Sequence, residues 1–169
     1  MTQPPQPANE LSRLEELDSY NILDTLSEQD YDDITSLAAT ICKTPVSLIT
    51  FVDKDRQWFK SHYGTSETQT IREYSFCAHA LNSPHEPLIV EDSRQDERFA
   101  DNPMVTGEPY VIFYTGFPLI NPNGYPLGTL CVLDHKPRKL LREQLSALQI
   151  LSKQVVTLLE MRKSNITLQ

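Results

Sequence analysis

The chain has 169 residues, with 15 Lys plus Arg against 23 Asp plus Glu and a formal net charge of -8 at pH 7. Its 39% apolar and 22% charged residues are those of one ordinary globular domain, neither disordered nor fibrous. An acidic chain without a basic stripe excludes phosphate-backbone binding, so no nucleic-acid and no membrane partner is expected. With neither a signal-peptide core nor a spanning apolar run, a cytoplasmic protein is expected.

Residues 1–8 hold three prolines and little to pack, which predicts a disordered tail. The folded domain is expected over 9–163, with 164–169 a C-terminal end open to continuation into an output helix. Leu11, Leu14 and Leu17 recur every third residue and predict a short amphipathic helix. Ser27 and Asp30 resemble a capping box, after which Tyr31, Ile34, Ala38 and Ile41 line one helical face that Pro45 ends. Val46 to Val52 is apolar on both alternating faces, which predicts a central strand covered on both sides. The polar turn after it and the returning QWFKSHY predict a hairpin.

The middle of the chain is less regular. A short helix is expected around Phe76 to Leu81 and a brief strand around Leu88 to Val90, followed by an acidic loop from Glu91 to Pro103. Such a stretch suits the wall of a pocket. Beyond it, the apolar runs on either side of Asn123-Gly124 predict a second hairpin, because that dipeptide tolerates positive backbone dihedrals. From Arg142 to Lys163 there is neither Gly nor Pro. Leu141, Leu145, Leu148, Val155 and Leu159 mark an apolar stripe that Leu151 and Leu158 widen. One part of so wide a face is expected to cover the sheet, and Leu148, Leu151, Val155 and Leu158 to pair with a second copy in a homodimer.

In this order the segments resemble the GAF family, in the form found at the N-terminus of bacterial sensor histidine kinases and diguanylate cyclases. The resemblance runs from Glu10 to Arg162. It is carried by ILDT at Ile22, FVDKDRQWFKSHYG at Phe51, REYSFCAHAL at Arg72, VEDSRQDERFADNPMVTG at Val90, FYTGFPL at Phe113 and GTLCVLD at Gly128. It implies an α+β fold in which a central antiparallel sheet of about six strands has the terminal helices on one face and a pocket-forming helix and loop segment on the other. The implied function is a sensor that binds a small ligand or a partner and relays its state to a fused or separate kinase or cyclase. The ligand is not implied, since members of the family bind several kinds.

Pocket candidates follow from these positions: Phe76, Cys77 and His79 on the covering segment, Phe113 and Tyr114 on the strand expected as its floor, Arg98 for an anionic group, and Cys131. Against each stands a plainer role. Aromatics at such places are commonly core, and Arg98 lies among Asp92, Asp96, Glu97 and Asp101, which pair with it locally. Cys77 and His79 are two ligands, too few for zinc, and the intervening Ala78 departs from the adjacent Cys and His of bilin-binding relatives. The acidic loop lacks the spacing of a calcium loop. Cys42, Cys77 and Cys131 are spaced for neither a disulfide framework nor a zinc ribbon, and read as reduced, buried thiols. The chain holds no GxSxG elbow, phosphate loop, HExxH or kinase or cyclase signature, so no enzymatic activity is expected. Two alternatives are an interaction domain that binds no ligand and a free methionine sulfoxide reductase working through Cys77 and Cys131.

Overall fold

A computed structural model describes residues 1–168. Along the chain run α1 (Glu10–Asp18), α2 (Gln29–Cys42), β1 (Val46–Val52), β2 (Arg56–Tyr63), β3 (Gln69–Ile71), α3 (Phe76–Ala80), β4 (Leu88–Val90), α4 (Pro103–Thr106), β5 (Phe113–Ile120), β6 (Pro126–Asp134) and α5 (Arg142–Leu168). The strands form one six-stranded antiparallel sheet in the order β3-β2-β1-β6-β5-β4. This is the α+β architecture expected, with β1 and β6 at its centre.

All seven residues of β1 are buried, because helices cover both faces of the sheet. Ile49 and Phe51 join the layer made with α1, α2 and α5, where Leu17, Ile34, Ala38, Leu148, Val155 and Leu159 meet them. Val46, Leu48 and Val52 face the other way, toward α3, α4 and the loop around Phe99. The β5–β6 turn uses Gly124 at φ +86, as the Asn-Gly pair predicts. β3, three residues long, has no periodicity to announce it, and one local reading is corrected. No capping box forms: α2 begins at Gln29 with Glu28 in the capping position and no side-chain cap. Lys60 holds that entry instead, donating to Thr25 Oγ1 at 2.9 Å and Leu26 O at 2.6 Å and pairing with Glu28.

The dimer residues expected on α5 divide between two environments. Leu148 and Val155 are fully buried in the chain's own core, whereas Leu151 and Leu158 are half-buried at its border. The first two are therefore corrected from interface to core, since in a 3.6-residue period they share the face that Ser152 and Leu159 press on the sheet. Among the described residues no helix is long and apolar enough to cross a membrane.

Arg13 ties α1 to the end of the sheet. It is completely buried, and it donates to the carbonyls of Val52 (2.6 Å), Pro126 (3.4 Å) and Leu127 (3.5 Å) and to both carboxylate oxygens of Glu10. Arg72 reaches the same carboxylate and the Asp53 carbonyl. Burial pushes Glu10 upward, but the two guanidiniums outweigh it and hold the group below its ordinary value. Replacing Arg13 by Leu strips three carbonyls of their donor, so we expect a loss of about 3–5 kcal/mol in urea unfolding. The more exposed Arg56→Ala is expected to cost under about 1 kcal/mol. Equal losses would mean that the buried network contributes nothing special.

Candidate functional site

Tyr114, Thr129 and Thr50 point into the layer beneath α3 and form a small polar island in apolar surroundings. Thr50 and Thr129 are cross-strand partners on β1 and β6, with hydroxyls 3.2 Å apart. Cys77, on α3, places its sulfur 3.0 Å from both the Tyr114 and the Thr129 hydroxyls. Ser75 starts this helix by accepting from the Ala78 N–H at 3.1 Å. Gly116 makes room for the Tyr114 ring, since a Cβ there would lie 2.1 Å from the phenol oxygen.

Burial raises the Cys77 thiol, but hydrogen bonds from Cys131, Thr129, Thr50 and Tyr114 overcome it and bring the group down to about 7. Cys131 moves the other way, well above its usual range, through burial and its hydrogen bond to Cys77. The two thiols thus lie together, at 1% and 0% exposure.

Above the island, Phe76 stacks on Phe99 with ring centroids 4.0 Å apart, and Tyr114 lies 5.2 Å from Phe76. His79 meets the edge of Phe99 at 4.8 Å, and Arg98 sits over that ring while bound to Asp96 at 2.8 Å. Burial and the Arg98 charge pull His79 below the ordinary imidazole range. Of the residues the sequence singled out, Phe76, Cys77, His79, Arg98, Tyr114 and Cys131 gather here. Phe113 does not. Adjacent residues of a strand face opposite ways, and Phe113 belongs to the layer of α2 and α5. Among the described residues no cluster of three or more Cys, His, Asp or Glu could hold a metal.

The open concavity lies elsewhere on the same face. A cleft of about 730 Å³ runs between the β2–β3 connection and the segment joining α4 to β5, rimmed by Thr65, Glu67, Thr70, Glu108, Tyr110 and His135. It deepens into a smaller hollow of about 60 Å³ floored by Val46, Leu48, Phe59 and Leu133. Sequence reading missed every rim residue. They come from the β2–β3 connection, β3, the α4–β5 segment and the residue after β6, and only the completed sheet brings them together.

A six-stranded antiparallel sheet with terminal helices on one face, and an aromatic cover and cleft on the other, defines an α+β module with a separate core on each side of the sheet. The model of the GAF domain matches residues 13–159, and the chain belongs to that family. It is 40% identical over 144 residues to a cyclic di-GMP phosphodiesterase of Pseudomonas aeruginosa, a match covering 85% of this chain but 24% of that protein. The GAF domain of an Acinetobacter phosphoenolpyruvate-protein phosphotransferase superposes with a TM-score of 0.66 at 20% identity, over 94% of this chain and 97% of that one. The Thermosynechococcus elongatus PixJ GAF domain gives 0.62 at 12% identity, over 95% and 96%. A role in signalling, as a sensor domain, follows from the family. The expectation of no enzymatic activity is corrected: the relative at 40% identity carries an enzyme's name. Absence of motifs within a segment matching 24% of such a protein says little about the whole.

A lowered thiol contributes stability above its unfolded value of about 8.5, lost as pH falls through about 7. We expect the thiolate ultraviolet absorbance of the folded protein to titrate near that lower value and to vanish in Cys77→Ser. Gly116→Ala, which displaces the Tyr114 hydroxyl, should raise the midpoint and cost about 1–3 kcal/mol of stability. A midpoint that Gly116→Ala leaves unmoved would exclude Tyr114 as a donor to the thiolate.

Proposed function

We propose that the chain is the ligand-sensing part of a cytoplasmic bacterial signalling protein, joined to a cyclic di-GMP phosphodiesterase output and working as a homodimer. The reading rests on the 40% identity to a phosphodiesterase of which the chain spans 24%. That relative favours a phosphodiesterase over the histidine kinase or diguanylate cyclase expected from the resemblance. Phe76, Cys77, His79, Arg98, Tyr114 and Cys131 serve as the cover whose position answers to the bound state, while α5 carries that state outward.

The dimer face is the outer side of α5. Half-buried Leu151 and Leu158 border it, and Ile150 and Met161 stand exposed at 60% and 58%. These positions follow one another round the helix at its 3.6-residue period. A second reading, an interaction domain without a ligand, is favoured by the stack of Phe76, Phe99 and Tyr114, which fills the sheet face first expected to be a pocket.

Light scattering of the purified chain is expected to give a dimer, and Ile150→Glu with Leu158→Glu a monomer with unchanged circular dichroism. A monomeric parent would sink the dimer. Native mass spectrometry separates the two functional readings, since a co-purified small molecule supports the sensor and an empty dimer the interaction domain.

A further inference from the structure

Two of the chain's three thiols are brought together by the register of the sheet. Cys131 on β6 is paired across the strands with Gly116 on β5 and with Leu48 on β1. Gly116 has no side chain, and the Tyr114 phenol oxygen fills the place one would take, 2.1 Å from where a Cβ would stand. In an antiparallel pair that place is about 5 Å from the Cβ of the opposite residue, here Cys131. Thr129 lies two residues from Cys131 on the same face of β6. The Cys77 sulfur is 3.0 Å from the Tyr114 oxygen and 3.0 Å from the Thr129 hydroxyl, so groups on two sides of Cys131 bracket it. The two thiols are hydrogen-bonded to each other.

The pair is also unequal. Cys77, brought down to about 7, is a nucleophile at neutral pH, while Cys131 beside it stays protonated. A thiolate with a second thiol in contact is the arrangement in which oxidation stops at a disulfide. The surroundings favour that product. The groups that act most on Cys77 are hydroxyls and a thiol, with no cation among them, and the layer around them is apolar. A neutral disulfide suits such a place and a charged sulfinic acid does not. Cys42 provides the contrast: it lies in the opposite core, where burial pushes its thiol up to about 11. The pair's own cover is thin, since α3 is five residues long, and elements so short open locally well before the whole fold does.

We propose that Cys77 and Cys131 are an oxidation site, at which a hydroperoxide joins the two sulfurs in a disulfide between α3 and β6. The Cys77 sulfur attacks the peroxide, the O–O bond breaks, and an alcohol or water leaves with one proton, giving a sulfenic acid. The Cys131 sulfur then attacks the Cys77 sulfur, the S–O bond breaks, and water leaves with the Cys131 proton. In sum, two thiols and ROOH give one disulfide, ROH and water, and the sulfurs lose the two electrons that the peroxide gains. The bond fastens the cover to a strand whose other face meets the layer of α5. It is a covalent input that goes beyond ligand sensing and stands whether or not a small molecule binds.

The test treats the whole folded chain with hydrogen peroxide, labels the remaining thiols with N-ethylmaleimide after denaturation, and reads the mass. The reduced chain is expected to take three labels and the oxidised chain one, on Cys42. Peptide mapping should then give a Cys77–Cys131 link that dithiothreitol reverses. Oxidation should quicken as pH rises through about 7, because the thiolate is the reacting form. In Cys131→Ser the link is lost and dimedone traps the sulfenic acid on Cys77, whereas in Cys77→Ser both remaining thiols stay reduced. Three labels retained at a peroxide dose that fully oxidises glutathione would overturn the proposal. So would a link through Cys42 or between two chains, a link that forms only in urea, or a sulfinic acid at Cys77 in place of the disulfide. Each of these is read on the parent protein, so a serine variant that fails to fold leaves the result intact.

Discussion

Covering of β1 and β6 on both faces is the constraint from which the rest of the structure follows. A strand in that position has no solvent side, so each residue is assigned to one of two cores by parity alone, and a shift of one position would exchange them all. Ile49 and Phe51 serve the layer of the terminal helices, and Leu48 and Val52 the layer of the cover. The same crowding explains Gly128. A Cβ there would come within 1.8 Å of the Thr50 carbonyl oxygen on the neighbouring strand, so no larger residue fits without moving β1.

Closing a two-sided sheet leaves its strand ends as buried backbone needing partners, and here a charge supplies them. Arg13 brings five donors to a place where three carbonyls converge, and Glu10 balances it from the preceding turn of α1. Burying an ion pair does not by itself add stability, because desolvation offsets much of the attraction. Its effect is specificity. α1 has one orientation in which those carbonyls are satisfied, and through Arg72 the same carboxylate also fixes the approach to α3.

Much of this was legible in the chain because periodic burial writes itself into composition. The seven buried residues of β1, five of them apolar, the Asn-Gly turn and the long α5 all follow from patterns that a core imposes on its elements. The failures have one physical origin, which is that sequence reports how residues alternate but not which layer each set joins. Phe113 and Tyr114 looked alike as aromatics of one strand, yet they lie in opposite cores. Leu148 and Val155 looked like interface and are core, since a wide stripe does not reveal how much of it the chain covers itself. The cleft is harder still: Glu67, Thr70, Glu108 and His135 have ordinary surface character, and only folding makes them neighbours.

Parity also limits how a signal can leave the cleft. Leu133 lies under it and Cys131 two residues earlier lies in the thiol island, whereas Leu130 and Val132 on the same strand press into the layer that holds α5. β6 is thus one backbone with the cleft and cover on one side and the outgoing helix on the other. A ligand that prefers one position of this strand biases α5 only by its difference in affinity between the two positions, however tightly it binds overall. A rigid thiol and hydroxyl cluster against the strand raises the cost of moving Cys131 and Thr129, which favours discrete positions over gradual displacement. A contact that reaches this strand therefore bears on α5 more directly than one that stays at the surface.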